Sequence, residues 1–495
     1  MEFISTRNAS KENESVLSAE AIKNGLAKNG GLYMPTEIPA LTKEDLSALK
    51  ACTYPECAAK ILSLFLTDYS YKELLKDAKA AYSKKSFPNG AVGLRGVDNG
   101  NYFLELWRGP TCAFKDMALQ IMPRLLSRAL DKTGEKKEAV ILVATSGDTG
   151  KAALEGYRDI PKINIEVFYP AGGVSRVQEL QMVTQKGKNV NVASINGNFD
   201  DAQTEVKNIF TDAEFSAELE KDGYFLTSAN SINFGRLVPQ IVYYVFAYLR
   251  VIEDIGAEIG KEIDVCVPTG NFGNILAAYI AKLMGVPFRR FVCASNENNV
   301  LTDFINTGVY NKNRDFKLTI SPSMDILVSS NLERLLYLLA GDKKVCEWMK
   351  SLKENSEYTV DSETLEKIKG EFSGYFASEA DTKNTIKKYF DSYGYLIDTH
   401  TAVAAYCADK YREETNDGTP IIVASTASPF KFSQGVFAAL TGEIVADAVD
   451  ALHKLEDYSG EKIPAPLSSA VNGKVRFSER IDVKDMRNSV KNFLK

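Results

Sequence analysis

The sequence predicts an α/β protein with mainly parallel sheets, and two observations favour that fold class. From Tyr102 onward, short apolar runs alternate with segments of helical periodicity, which is typical of repeated β-α units. Ala139–Ala144 is apolar without interruption, as expected of a strand buried on both faces of a parallel sheet. The chain has 495 residues. Single hydrophobic cores stop growing at about 250–300 residues, so more than one domain is expected.

Three regions are predicted in chain order. Residues 1–95 form a mostly helical domain, because Ala51–Phe65 and Tyr71–Lys85 have helical patterns. Residues 96–235 and 236–495 form two α/β domains. A stretch rich in charge and aromatic side chains at about 310–400 predicts a helical insertion, with helices around Leu332–Leu339 and Leu365–Tyr375. The other predicted helices are Ser175–Gln185 and Asp200–Leu219, and the predicted strands are Tyr102–Trp107, Ala139–Ala144, Ile163–Tyr169, Val190–Ile195, Ile263–Val267, Phe291–Ala294 and Ile421–Val423.

Composition narrows the function classes. The chain carries 59 Lys and Arg against 65 Asp and Glu, a net charge of -6, and no large basic block, so nucleic-acid binding is not expected. It has no apolar run of about 18 residues and no apolar signal region, so neither a membrane span nor secretion is expected. Seven scattered cysteines lack metal-ligand spacing and two histidines are few, which predicts reduced thiols, no metal site and a cytoplasmic location. The sequence leaves the oligomeric state open.

One lysine, Lys115, lies at a predicted loop-to-helix junction within Gly109–Gln120. A Gly-Pro pair ends the preceding strand, and an amphipathic helix follows. Phe114 is an apolar neighbour that can shield the amine from water. Burial lowers the pKa of an amine and makes it a nucleophile for Schiff-base formation. The alternative is a solvated lysine in a first helical turn, which is the more common situation for lysine.

Two turns between a strand and a helix are candidate anion sites. In Pro268–Asn274, glycines allow backbone N–H groups to close around a phosphate at the start of a helix. The alternative is an ordinary β-α turn. In Thr145–Gly150, hydroxyl groups at a helix N-terminus can receive a carboxylate; the alternative is that Ser146 or Asp148 simply caps the helix. This turn is not a P-loop, because position 145 is Thr rather than Gly and Ala152 follows Lys151.

A third polar segment contains the candidate for a second phosphate site. Asn230, Ser231 and Asn233 precede a helix that contains Arg236, three residues after Asn233 and therefore on the same side of its first turn. An arginine among hydroxyl and amide groups can grip phosphate through charge-assisted bonds. The alternative is helix capping beside a surface arginine.

These segments occur in the order found in the threonine synthase family, which the chain resembles over nearly its whole length. The segments are Ser5–Arg7, Gly30–Pro35, Gly109–Gln120, Thr145–Gly150, Asn230–Asn233, Pro268–Asn274 and Ser425–Phe432. The resemblance is to the longer bacterial and fungal type. It implies a pyridoxal-phosphate enzyme of fold type II, with two mainly parallel α/β domains, as in the tryptophan-synthase-β-like superfamily.

The resemblance implies a role for each candidate residue. Lys115 would bind the cofactor as a Schiff base, and the hydroxyl of Thr426 would face its pyridine nitrogen. The cofactor phosphate would lie at Gly270, Asn271, Phe272, Gly273 and Asn274. The substrate carboxylate would lie at Thr145, Ser146 and Thr149. The substrate phosphate and nearby polar atoms would be bound by Asn230, Ser231, Asn233 and Arg236.

One segment departs from the family pattern. Relatives have Thr-Ala-His-Pro-Ala-Lys-Phe where this chain has Thr426–Phe432, so that Ser428 replaces a histidine and Phe430 an alanine. The departure leaves Thr426 and Lys431 in place but removes whatever the histidine does in relatives. His400 matches a different family segment, where capping a helix is an equally good interpretation.

The implied activity is conversion of O-phospho-L-homoserine and water to L-threonine and phosphate, the last step of threonine biosynthesis. Lys115 would act as the acid and base at the carbons next to the imine. Two other readings stay open at this point: a phospho-lyase or dehydratase of the same superfamily, and a non-catalytic relative that keeps the fold.

Overall fold

The computed structural model describes residues 1–9, 14–97, 100–145 and 147–495. Within them lie sixteen strands. The strands are β1 Glu2–Ser5, β2 Val16–Leu17, β3 Tyr33–Pro35, β4 Gly93–Gly96, β5 Asn101–Glu105, β6 Glu138–Ala144, β7 Ile163–Pro170, β8 Val190–Asn196, β9 Tyr224–Thr227, β10 Ile263–Pro268, β11 Phe288–Ser295, β12 Val309–Asn311, β13 Glu357–Thr359, β14 Phe372–Phe376, β15 Ile421–Ser425 and β16 Arg480–Asp482. The sequence predicted seven of them: β5, β6, β7, β8, β10, β11 and β15.

The described residues also form twenty-one α-helices. They are α1 Ser18–Asn24, α2 Lys43–Lys50, α3 Tyr54–Phe65, α4 Tyr71–Ala81, α5 Asp116–Leu119, α6 Met122–Lys132, α7 Asp148–Tyr157, α8 Arg176–Val183, α9 Phe199–Thr211, α10 Ala213–Lys221, α11 Phe234–Asp254, α12 Gly273–Leu283, α13 Val300–Thr307, α14 Leu332–Asn355, α15 Ser362–Glu371, α16 Glu379–Tyr393, α17 Thr399–Thr415, α18 Ser433–Thr441, α19 Ala448–Ser459, α20 Ala465–Val471 and α21 Met486–Leu494. Short 3-10 turns lie at Pro322–Met324, Pro429–Phe432 and Val483–Asp485.

Two parallel sheets form the framework, as the sequence predicts. The larger has the order β14-β11-β10-β15-β5-β4 and is parallel except for β4, which runs antiparallel to β5. The smaller has the order β16-β8-β7-β6-β9 and is wholly parallel. β1–β3 form a small antiparallel sheet, and β12 pairs with β13.

The longest apolar block of the sequence lies in α11, which is buried along most of its length. It packs against α3, α5 and α12, and so joins the N-terminal helices to the larger sheet. A second buried cluster lies between the larger sheet and α17, and a third between the smaller sheet and α21. Among the described residues, no helix combines the length and apolar character needed to cross a membrane.

The sheets do not follow the predicted domain boundaries at residues 96 and 236. β4 and β5, the strands before Lys115, pair into the larger sheet beside β15, and β16 from the C-terminal tail completes the smaller sheet. Residues 1–95 contain the antiparallel sheet β1–β3 as well as helices. Local periodicity does not indicate which distant strands pair with each other. The sequence pattern therefore could not predict that these strands cross the domain boundaries.

The predicted insertion at 310–400 is only partly helical. Phe372–Phe376, predicted as the end of a helix, is the strand β14 at the edge of the larger sheet. Its buried residues alternate, and Gly374 lies so close to Thr302 that an added Cβ would be 3.0 Å from that backbone.

The predicted helix Asp200–Leu219 is two helices, because Asp212 ends α9 and caps α10.

Candidate active site

The predicted site segments follow the carboxyl ends of parallel strands. Lys115 follows β5, Thr145 follows β6, the glycine-rich turn follows β10 and Thr426 follows β15. Ligands of open α/β sheets bind at this edge. The loop after β5 contacts the loop after β15. Phe114 N–H donates to Thr426 O at 2.7 Å, and Ala113 forms an isolated antiparallel β-bridge with Ala427.

Lys115 is buried among polar partners rather than solvated. Its Nζ donates to Ser323 Oγ at 3.2 Å and lies 3.5 Å from Asp148 Oδ2. Burial lowers the pKa of Lys115 to about 8, although the carboxylate of Asp148 opposes this shift. A substantial fraction of the amine is therefore neutral near physiological pH, the form that attacks a carbonyl.

Asp148 is a site residue that sequence reasoning treated only as a helix cap. Its Oδ1 lies 3.0 Å from Lys431 Nζ and accepts from Gln178 Nε2 at 2.9 Å, and its Oδ2 accepts from Ser323 Oγ at 3.1 Å. Burial raises the pKa of this carboxyl, but the ammonium groups of Lys431 and Lys115 outweigh it and leave the pKa below its usual range. Asp148 is thus a permanent anion between two lysines.

The turn Gly270–Asn274 has the geometry of an anion cup. Phe272 has φ 61°, a left-handed conformation between β10 and α12, so successive N–H groups form a concave nest at the helix start. The first N–H groups of α12 lack intrahelical acceptors, and the helix dipole is positive there. Asn274 Oδ1 accepts from the hydroxyls of Tyr243 and Tyr244, which leaves its buried Nδ2 without a partner in the described part of the chain.

Thr426 and Ser425 differ in what their hydroxyls do. Ser425 Oγ accepts from Trp107 Nε1 at 3.0 Å and from Thr401 Oγ1 at 3.2 Å, so it is part of the framework. The Thr426 backbone is held by Thr401 and Phe114, while its hydroxyl has no hydrogen-bond partner among the described residues.

The turn after β6 is organised by Thr145. Its Oγ1 accepts from the N–H groups of Gly147 and Gly150, both at 2.9 Å, and so fixes the start of α7. Thr149 is half-buried in the first turn of that helix. Ser146 lies outside the described residues. A substrate-binding role for these three residues stays a prediction.

The segment before α11 contains residues of different kinds. Asn233 is buried; its Oδ1 caps α11 at Gly235 N–H, and its Nδ2 donates to Ile22 O at 2.9 Å. Those bonds engage both ends of the amide, which favours the capping interpretation. Asn230 is exposed and Ser231 half-buried.

Arg236 is buried rather than on the surface, and it lacks a counter-ion. It is 6% exposed, and its guanidinium donates to the neutral oxygen Ala229 O at 3.1 Å. No carboxylate of the described residues pairs with it. Burial lowers the pKa of Arg236 to about 10, and its charge in turn lowers the pKa of Lys115. A buried, unpaired cation near Lys115 is suited to receive an anion.

His400 is a second residue that the sequence left undecided. It is buried; its Nδ1 lies 2.8 Å from Asp398 Oδ2, and its Nε2 accepts the N–H of Ser323 at 3.1 Å. A backbone donor at Nε2 places the ring proton on Nδ1. His400 thus holds the turn that brings Ser323 to Lys115. Ser428 is fully buried and its Oγ lacks a partner in the described part of the chain.

Comparison with known proteins explains this arrangement. Three family models match the chain: threonine synthase N terminus over residues 2–82, pyridoxal-phosphate-dependent enzyme over residues 95–426, and threonine synthase C-terminal over residues 401–471. The chain belongs to the threonine synthase family. The cofactor of these enzymes, and of this chain, is pyridoxal phosphate.

Relatives of this family resemble the chain over most of its length. Threonine synthase of Saccharomyces cerevisiae is 34% identical and matches 99% of this chain and 97% of its own. The crystal structure of PLP-bound threonine synthase from Brucella melitensis superposes with a TM-score of 0.88 at 35% identity, with both chains fully covered. The human protein threonine synthase-like 1 is 38% identical over 97% of this chain, and the chain spans 66% of that protein's length.

The residues present fit pyridoxal phosphate. Lys115 supplies a buried amine of lowered pKa for the aldehyde carbon, and the cup supplies a helix N-terminus and the unpartnered Asn274 Nδ2 for a phosphate. A Cβ added at Gly270 would lie 2.8 Å from Ser323 O, so the cup accepts no side chain there. The Thr426 hydroxyl offers one uncharged hydrogen bond.

Proposed function

We propose that the protein is a threonine synthase that converts O-phospho-L-homoserine and water to L-threonine and phosphate. The observation that carries the proposal is the presence of two separate sites for anions around one buried amine. The cup at Gly270–Asn274 is suited to the cofactor phosphate, and Arg236 offers an unpaired charge for a second phosphate. An unphosphorylated amino acid offers only its carboxylate, which the turn after β6 is placed to receive, and would leave the charge of Arg236 without an anion.

Net charge around Lys115 supports an anionic substrate. The charged groups that act most on it are the carboxylate of Asp148 and the cations Arg236 and Lys431. Together with a protonated Lys115, this set has an excess of positive charge in a buried place. A substrate with one carboxylate and one phosphate offsets that excess, although the whole chain is acidic at -6.

The residues divide the chemical work as follows. Lys115, Thr426 and the cup would hold pyridoxal phosphate, which when bound acts as an electron sink that acidifies the α-carbon of an attached amino acid. Lys115 Nζ would take a proton from the substrate Cα, give that proton up, then take one from Cβ, and would return protons to the product at the end. Arg236 neutralises the phosphate as it leaves Cγ, and water adds at Cβ.

Asp148 supports Lys115 in its protonated state. Its carboxylate, 3.5 Å from Nζ, stabilises the ammonium that forms when Lys115 accepts a proton. Lys431 in turn keeps Asp148 ionised. The amine therefore has a pKa of about 8 instead of a still lower one, which lets it alternate between base and acid near neutral pH.

We place the enzyme in the cytoplasm, since all seven cysteines are free.

Product analysis tests the proposal. Incubation of the pyridoxal-phosphate-loaded protein with O-phospho-L-homoserine, followed by NMR of the reaction mixture, should show threonine and phosphate in equal amounts. Release of 2-oxobutyrate with phosphate would identify a phospho-lyase instead. Absence of both products, with the cofactor still bound, would identify a non-catalytic relative.

A further inference from the structure

Three consecutive polar residues, Ser329–Asn331, lie behind the phosphate cup; we call them the brace. Ser329 Oγ donates to Gly270 O at 2.7 Å, and Ser330 Oγ donates to Asn271 Oδ1 at 3.3 Å. The backbone N–H and the Nδ2 of Asn331 both donate to Asn271 O, each at 3.0 Å. The brace therefore engages both carbonyl oxygens at the start of the cup.

Holding these carbonyls fixes where the cup N–H groups point. In a trans peptide unit the C=O and the following N–H point in opposite directions. With Gly270 O and Asn271 O turned toward the brace, the N–H groups of Asn271 and Phe272 face away from it. Phe272 has φ 61°, a left-handed conformation that a non-glycine residue keeps only when its surroundings hold it.

The orientation of the Asn331 amide is itself fixed by Arg334. Arg334 Nη1 donates to Asn331 Oδ1, so Nδ2 must be the group that faces Asn271 O. Arg334 is fully buried, and its guanidinium also donates to Tyr33 O and Ile232 O. Burial lowers the pKa of Arg334 to about 9, which leaves it charged at neutral pH. It ties the brace to β3 and to the loop before α11.

We propose that Asn331 is a positioning residue for the cofactor phosphate. It acts through Asn271: by holding Asn271 O, it keeps the cup N–H groups in the orientation that binds the anion. Asn331 lies in the region that the sequence predicts as a helical insertion, and nothing in its local pattern indicates this role. The proposal requires pyridoxal phosphate at the cup but not threonine formation, so its test is independent of the reaction catalysed.

The test compares two ligands that differ only in the phosphate. Asn331→Asp keeps the size of the side chain and an acceptor for Arg334, but replaces the Nδ2 donor with an oxygen that repels Asn271 O. Because it also adds a negative charge near the phosphate, Ser329→Ala, which removes the bond to Gly270 O without adding charge, is measured beside it. Full-length protein freed of cofactor is titrated with pyridoxal 5'-phosphate and with pyridoxal, and Schiff-base absorbance reports binding. We expect about 10- to 100-fold weaker binding of pyridoxal phosphate. Binding of pyridoxal should change less than about threefold.

Asn355→Asp is the matched control, because it makes the same substitution at an exposed position of α14. It should bind both ligands like the parent chain. Circular dichroism checks that each variant is folded. Should Asn331→Asp not fold, Ser329→Ala removes one bond to Gly270 O and should weaken pyridoxal phosphate alone. Equal losses for both ligands, or no loss for pyridoxal phosphate, would overturn the proposal.

Discussion

The unpaired charge of Arg236 gives the sharpest quantitative prediction. Arg236→Met replaces a buried guanidinium with an apolar side chain of similar length that also favours a helix. We expect the ligand-free protein to become more stable while its affinity for phosphate falls. Most substitutions at buried positions destabilise, so a gain in stability is a distinctive outcome.

The magnitude follows from the pKa of Arg236, which burial lowers from its ordinary value to about 10. At about 1.4 kcal/mol for each tenfold change in the proton equilibrium, this lowering amounts to about 3 kcal/mol of destabilisation of the charged form. Removal of the charge recovers that amount, whereas loss of the bond to Ala229 O costs about 1 kcal/mol. The net expectation is an increase of about 1–2 kcal/mol in the free energy of unfolding.

Urea unfolding of the ligand-free protein measures this change. Arg250→Met on the same helix is the control, because Arg250 is partly exposed and paired with Glu253, and its loss should change stability by less than about 1 kcal/mol. Inhibition by inorganic phosphate provides the second readout, with about 10- to 100-fold weaker inhibition expected for Arg236→Met. A destabilised variant with unchanged phosphate inhibition would contradict the role assigned to Arg236.

Three further predictions concern the cofactor site. Thr426→Ala should alter the absorbance of the bound cofactor and lower turnover about 10- to 100-fold, with phosphate release still measurable. Ser425→Ala should not alter the cofactor spectrum in this way. The reverse pattern in steady-state kinetics and absorbance would show that the wrong hydroxyl was chosen. Gly270→Ala should weaken pyridoxal phosphate binding in a titration, because its Cβ would lie 2.8 Å from Ser323 O, and unchanged affinity would count against the cup. Because Lys115 loses its proton at a pKa of about 8, the rate of cofactor attachment to ligand-free protein should rise with pH and level off above about 8. Asp148→Asn should move the midpoint of this rise to lower pH, because the carboxylate raises the pKa of Lys115. An unmoved midpoint would argue against the ion pair.

Much of the framework was predictable because its signals are local. An uninterrupted apolar run identified β6 as a buried strand, and the glycine-rich turn between β10 and α12 was visible in the residue order. Strand pairing was not predictable: β5 precedes the lysine loop but pairs with β15, more than 300 residues later in the chain.

The site residues that could be predicted are those that directly follow a predicted strand. Lys115 and the cup were singled out in this way, and their roles stay predictions. Asp148 was seen only as a cap, since nothing local shows that it meets Lys431 and Lys115. Ser323 lies in a segment with little regular structure and meets Lys115 across more than 200 residues of chain. Its role depends on tertiary contact with His400, which the residue pattern does not reveal.

The attachment point of the cofactor is the centre of this account, and one measurement tests it directly. Protein loaded with pyridoxal phosphate is reduced with borohydride, digested and mapped by mass spectrometry, in parallel with Lys115→Ala. We expect the reduced adduct on Lys115 alone, and no covalent adduct in Lys115→Ala. An adduct on Lys431, Lys151 or any other lysine of the native chain would contradict the assignment of Lys115 as the reacting amine.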